Sequence, residues 1–257
     1  MDLGITGKVA LVLGASGGLG SAICSALAAE GVSIIAVGRK AAELDALVSR
    51  LSTSEAPASR RVCDLSDRDA VTGLASELGP VDILVNITGG PPPTPASGQP
   101  STLWEEQFQA MVLSVISLTD SVLPGMKERG WGRIITSTSS GIVAPIANLA
   151  ISNALRMSLV GWSKSLSREV GKFGVTANIV VPGRIETDRI RFLDERRAER
   201  EGRSAAEVSQ ESANSIPVGR YGTPHEYAAA VAFLASRQAS YVTGSILRVD
   251  GGLIPSI

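Results

Sequence analysis

The sequence predicts a single-domain, doubly wound α/β fold on a seven-stranded parallel sheet with helices on both faces. Three observations carry this expectation. Short apolar runs rich in β-branched residues alternate with amphipathic helical runs along the whole chain. The strand-like runs are apolar at nearly every position, as strands covered by helices on both faces must be. No linker long enough to divide domains interrupts the alternation, and nothing repeats except the βα unit. The 257 residues, 44% of them hydrophobic, can fill one large core, and the 27 glycines suit many tight βα turns.

Taken in order, KVALVLG reads as the first strand and GLGSAICSALAAEG as the first helix, ending at Gly31. SIIAVG is the second strand and AAELDALVSRLS the second helix. SRRVCDL and DRDAVTGLASELG repeat the unit, and VDILVN is a fourth strand. TLWEEQFQAMVLSVISLTDSVLPGMKERG has helical spacing throughout. GRIITSTSS is the fifth strand, and a second long helix is expected from about 148 to 172. GVTANIVVPG is the sixth strand, PHEYAAAVAFLAS a late helix and SILRVDGG the last strand. The segment RIETDRIRFLDERRAEREGR breaks this rhythm with seven arginines against six acids. It reads as a solvated helix or lid, extending over about 184–215.

A net charge of −1 argues against a nucleic-acid or acidic-membrane partner. Cys24 and Cys63 are expected to be free buried thiols. The opening MDLGITGKVALVLG lacks a basic segment leading into a signal-type apolar run. No stretch is expected to span a bilayer, so a cytoplasmic location is expected.

The turn LVLGASGGLGSAI carries the strongest chemical signal. Gly14, Gly18 and Gly20 form G-x-x-x-G-x-G between the first strand and the first helix. Gly14 permits the sharp turn, and Gly18 removes the Cβ that would keep phosphate from backbone N–H groups. Gly20 allows close packing of the helix. Ser16, Gly17 and Leu19 complete the loop, and the helix N-terminus faces a diphosphate with its positive end. The second strand ends at Arg39-Lys40, where a preference for NAD would call for an acid. Arg39 suits a 2′-phosphate through charge-assisted hydrogen bonds, so NADP(H) is expected ahead of NAD(H). Asp64 and Leu65 follow the third strand. Asp64 either accepts the adenine amino hydrogens or caps the next helix.

Together these pieces resemble the short-chain dehydrogenase/reductase family, a Rossmann fold, nearest to its 3-oxoacyl-acyl-carrier-protein reductases. VDILVNITGG resembles the family's strand-four motif, so Asn86 and Gly89 are implied near the cofactor. In VVPGRIET, Pro182, Gly183, Ile185 and Thr187 match positions that meet the nicotinamide end. The family works with Asn, Ser, Tyr and Lys. Matched without gaps through GRIITSTSS and GWSKSLSREV, Ser139 falls on the serine, Ser152 on the tyrosine and Arg156 on the lysine. Anchoring at Leu123-Pro124 puts Met111 at the asparagine. The resemblance therefore implies a catalytic set of Ser139, Ser152 and Arg156 with three of four roles changed.

Four-residue spacing places Ser152 and Arg156 on one helix face. Arg156 can bond a ribose but does not give up its proton, and serine is a much weaker acid than a phenol. His225, the only histidine, reads as a surface or cap residue; Tyr221, Tyr227 and Tyr241 all lie late in the chain, away from the aligned position. The Gly- and Pro-rich NITGGPPPTPASGQP reads as a stiff pocket wall. The resemblance implies a small-molecule carbonyl or alcohol substrate, free or linked to an acyl carrier, and a homotetramer. Two activities stay open: an NADP(H)-dependent oxidoreductase with an atypical proton path, or a nucleotide-binding regulatory or partner subunit without turnover. A non-redox lyase with a vestigial cofactor site is a third, weaker possibility.

Overall fold

A computed structural model describes residues 2–53 and 56–256. Seven parallel strands form one sheet in the order β3-β2-β1-β4-β5-β6-β7: β1 Val9–Val12, β2 Ser33–Gly38, β3 Ala58–Val62, β4 Ile83–Asn86, β5 Gly132–Ser137, β6 Val175–Pro182 and β7 Ile246–Val249. The order reverses between β1 and β4, which opens a crevice at the carboxyl ends of those two strands. The expected fold is thus the one observed.

The helices are α1 Gly18–Ala29, α2 Ala41–Leu51, α3 Arg68–Glu77, α4 Ser101–Phe108, α5 Ser114–Glu128, α6 Ala150–Val170, α7 Asp188–Glu201, α8 Ala205–Asn214 and α9 Pro224–Ala235. One core packs Ile23, Cys24 and Leu27 of α1 and Tyr227, Val231 and Leu234 of α9 against the sheet. The other packs Val71 and Leu74 of α3, Leu118, Val122 and Met126 of α5 and Leu166 and Val170 of α6 against the opposite face. Cys24 and Cys63 are free and buried, as expected, and burial pushes the Cys24 thiol up to about 12.

Three features differ from the sequence reading. The long helix over 101–128 is interrupted by a π-helical turn, Gln109–Leu113, which contains Met111. It is also apolar and long enough to pass a length-and-composition test for crossing a membrane, against expectation. Its Met111, Val115, Leu118 and Val122 are buried within the fold, so that part of its apolarity belongs to the core, while Phe108 and Leu113 are exposed. Finally, Asp67 caps α3 by accepting from the N–H groups of Asp69 and Ala70. Asp64 does not cap that helix. It closes a turn by accepting from the Ser66 N–H at 3.0 Å and the Ser66 hydroxyl at 2.8 Å.

The charged segment forms α7 and α8. Its arginines are largely paired internally: Arg197 with Glu201 and Glu211, Arg203 with Glu211, Arg196 with Glu199, and Arg184 with the buried Asp194. Thr187 and Ser204 cap the two helices, the latter in a capping box with Glu207.

Candidate functional site

The crevice begins at the glycine turn. Gly14 has φ +65°, and a Cβ there would lie 2.7 Å from the Ile87 carbonyl oxygen. At Gly20 a Cβ would lie 2.2 Å from the Gly14 oxygen and 2.8 Å from the Ala15 Cα. Gly20 thus lets α1 close onto its own preceding turn, a tighter contact than the helix-on-strand packing expected. Gly17 and Gly18 are exposed, leaving the α1 N-terminus open, while Ser16 and Leu19 are half-buried. Gly17 sits at the N-cap without a side-chain bond. Thr187 leans over this turn, 2.9 Å from where a Gly18 Cβ would stand.

Arg39 lies just past β2 with its side chain 72% exposed, 3.7 Å from Asp64. Asp64 is held below the ordinary carboxylate range, chiefly by the Ser66 N–H and with help from Arg39. Leu65 is half-buried beside it. Asn86 is buried at the end of β4 and donates to the Thr136 hydroxyl at 3.2 Å, while its Oδ1 has no partner. The hydroxyls of Thr88 and Thr138 are likewise buried and unpartnered. Nothing stands within 4 Å of a Cβ built on Gly89. Pro182 ends β6, Gly183 packs against the backbone of Asp250, and the buried Ile185 bridges to Gly222. A Gly-lined turn at a helix N-terminus, with orphaned acceptors and donors at the ends of β4 and β5, fits a dinucleotide.

Of the expected catalytic residues, Ser152 and Arg156 are in contact, and Ser139 follows the strand whose Ser137 carbonyl Arg156 holds. Ser139 lies two residues past the end of β5 and accepts from the Gly141 N–H at 3.1 Å, capping the short turn that follows. Ser152 and Arg156 face one another on α6, with Nε of Arg156 donating to the Ser152 hydroxyl at 3.3 Å. They are 6% and 7% exposed. Nη2 of Arg156 donates to the carbonyls of Thr88 and Gly89 at 3.2 and 3.3 Å, and Nη1 to the Ser137 carbonyl at 3.4 Å. One N–H on Nη1 is left for a ligand. Burial pushes the Arg156 guanidinium down to about 10; the neighbouring Tyr227 opposes this and Arg189 adds to it. It stays charged at neutral pH, so the geometry supports holding and orienting rather than proton exchange. The Gly/Pro loop is pinned over α6, since the N–H of Thr94 donates to the Asn148 carbonyl at 2.7 Å and the N–H of Ala150 to the Thr94 carbonyl at 3.3 Å. Asn148 adopts φ +57°, the one non-glycine residue with positive φ among those described.

Sequence reasoning missed Tyr227. It is fully buried, and its hydroxyl lies 2.7 Å from that of Ser137 and 3.4 Å from the Val180 carbonyl. Burial pushes the phenol well above its ordinary range. Ser137 shares its face of β5 with Ile135, packed toward α9, so Tyr227 lies across the strand from Ser152. It does not replace the aligned tyrosine. Tyr227→Phe is expected to lower stability by about 1 kcal/mol by leaving the Ser137 hydroxyl unpaired, which urea denaturation would measure. Tyr221 bonds the Asp194 carboxylate, Tyr241 is fully exposed, and His225 is exposed in the first turn of α9. A surface cavity elsewhere, lined by Glu186, Gln210, Arg220, Tyr221 and Glu226, contains the Arg220–Glu226 ion pair.

Fold, crevice and motif positions define a nucleotide-binding α/β oxidoreductase class, and the chain belongs to the short-chain dehydrogenase/reductase family. It matches the family described as Enoyl-(Acyl carrier protein) reductase over residues 14–254. Among individual relatives, 3-oxoacyl-(acyl-carrier-protein) reductase FabG of Vibrio cholerae is 36% identical, covering 98% of this chain and 99% of the relative. Nodulation protein G of Azospirillum brasilense is 35% identical over 96% and 98%. Among solved structures, L-sorbose reductase from Gluconobacter frateurii, complexed with NADPH and L-sorbose, superposes with a TM-score of 0.93 at 30% identity and complete coverage of both chains.

Proposed function

We infer that the chain is an NADP(H)-dependent oxidoreductase acting on a ketone or secondary alcohol, with an altered proton path. The glycine turn carries this reading: close backbone approaches at Gly14 and Gly20 exclude a Cβ, and exposed Gly17 and Gly18 leave the α1 N-terminus open. Gly14, Ser16, Gly17, Gly18, Leu19 and Gly20 would take the diphosphate, and Arg39 the 2′-phosphate. Asp64 and Leu65 would line the adenine, Asn86, Gly89 and Arg156 the nicotinamide ribose, and Pro182, Gly183, Ile185 and Thr187 the nicotinamide. The relatives support the choice, since the sorbose reductase and an actinorhodin polyketide ketoreductase are both described with NADPH. When bound, the cofactor supplies or accepts a hydride.

The chain's own residues then orient the substrate. Ser139 and Ser152 present hydroxyls to a carbonyl oxygen. Because Ser152 accepts from the Arg156 guanidinium, its own proton points elsewhere, available to a substrate oxygen. A serine hydroxyl is a poor acid, so water supplies the proton on balance and turnover is slow. Arg156 braces the cofactor loop through the Thr88 and Gly89 carbonyls. The sequence resemblance to the family implies a cytoplasmic homotetramer, and exposed Phe108 and Leu113 on the long helix and Met157 on α6 offer apolar surface for a second copy.

A second reading, a nucleotide-binding partner subunit without turnover, is favoured by one observation: neither Ser152 nor Arg156 is a group that exchanges protons near neutral pH. NADPH oxidation over multiple turnovers with acyl, open-chain and cyclic ketones separates the two. Turnover above background supports the oxidoreductase; tight NADPH binding with none supports the partner subunit. Arg39→Ala is expected to weaken NADPH binding by about ten- to a hundredfold while leaving NADH nearly unchanged, measured by fluorescence titration.

A further inference from the structure

Arg156 and Arg189 are two of the arginines that make no ion pair among the described residues, although the arginines around Arg189 on α7 are paired. Both converge on one turn. Arg156 donates to the Thr88 and Gly89 carbonyls, and Nη2 of Arg189 donates to the Pro91 carbonyl at 2.8 Å. That nitrogen also lies 3.1 Å from where a Gly90 Cβ would stand. Burial weakens the hold of both guanidinium groups on their protons, and for Arg156 the Arg189 cation adds to the effect. Thr88, on the same turn, is 8% exposed and its hydroxyl has no partner.

Arg133 shows what a purely structural buried arginine looks like here. It sits near the amino end of β5, stacks on Trp131, and donates to the carbonyls of Gly132, Gly174 and Ser236. No second cation is placed against it by its own contacts. The Arg156–Arg189 pair is at the other end of the sheet, next to Ser152. It is also distinct from the diphosphate turn: Thr187 covers Gly18, whereas Arg189 reaches away to Gly90 and Pro91.

We propose that Arg189, with Arg156 beneath it, receives a carboxylate carried by the substrate, so that the enzyme acts on an oxo- or hydroxy-acid. This rests on the oxidoreductase reading but is tested separately from it. An anion held by Arg189 gains charge-assisted hydrogen bonds there and from the Thr88 hydroxyl, and it offsets the repulsion between the two cations, Arg156 contributing through its charge. A neutral ester or thioester gains none of this.

Calorimetric titration with malonate and with malonamide, on the protein alone and on the protein with NADPH, tests it. Malonate is expected to bind at least about tenfold more tightly than malonamide. Arg189→Met should remove that difference, Arg189→Lys should keep part of it, and NADPH affinity should change by less than about twofold. In turnover, acetoacetate should be preferred over its methyl ester in the native protein and not in Arg189→Met. Equal binding of malonate and malonamide overturns the proposal. So does an Arg189→Met variant that loses NADPH affinity while keeping its response to malonate, which assigns the cation to the cofactor's diphosphate. Failure of NADPH to bind the native protein contradicts the oxidoreductase reading instead, and the malonate titration without cofactor still decides this one.

Discussion

The triple substitution Ser152→Tyr, Arg156→Lys and Met111→Asn is expected to raise the rate of NADPH-dependent ketone reduction by about 10²–10⁴-fold, the usual contribution of a general acid. The two α6 side chains already touch, Nε to Oγ at 3.3 Å, so a phenol and an ammonium would be neighbours at the same sites. Lysine can lower a phenol's pKa and still donate to the Thr88 and Gly89 carbonyls that Arg156 now holds. Met111 occupies the π-helical turn, where a polar side chain would replace one packed against Ile151 and Leu155. Arg156→Lys alone should gain little, because a serine hydroxyl beside lysine is still a weak acid. Steady-state NADPH oxidation checks this. A folded, NADPH-binding triple variant with no gain would mean that the cleft lacks more than its proton donor.

Gly20→Ala is expected to lower NADPH affinity by about a hundredfold or more and stability by about 1–3 kcal/mol. The added methyl would meet the backbone of Gly14 and Ala15 at 2.2 to 2.8 Å, and backbone in a tight turn cannot rotate away as a side chain can. The turn must open, which moves the N–H groups of the α1 N-terminus off the diphosphate. Gly17→Ala is the matched control for stability: its Cβ would meet only the Gly14 oxygen, at 3.4 Å, so the fold should be retained. Thermal denaturation and a cofactor titration on both variants separate turn geometry from general damage.

Much of this was legible before the structure, and for physical reasons. Strands such as ILVN in β4 and GRIITS in β5 are buried at every position, and that continuity is a local pattern. The glycine turn is legible because backbone clearance is a property of glycine alone. The partners of buried polar groups are not, because they depend on residues distant in sequence. Tyr227 in TPHEYAAAVAFLA reads as part of an apolar helix face, and its bond to Ser137 spans ninety positions. Arg156 could be paired with Ser152 by helical spacing, but its carbonyl partners lie sixty-seven and sixty-eight residues away. The π-helical turn at 109–113 leaves no mark in the hydrophobic periodicity. Asp64 was one expected cap of the third helix, and only the turn geometry shows that Asp67 takes that role. Arg189 did leave a signal: Phe192 and Leu193 stand three and four residues ahead of it, where Arg196 and Arg197 have Glu199 and Glu201.

The most direct measurement is a fluorescence titration of the native protein with NADPH and, separately, with NADH. Docking at the glycine turn beside Arg39 predicts saturable binding of one NADPH per chain, tighter than NADH by about tenfold or more. Absence of saturable binding, or a preference for NADH, would contradict it.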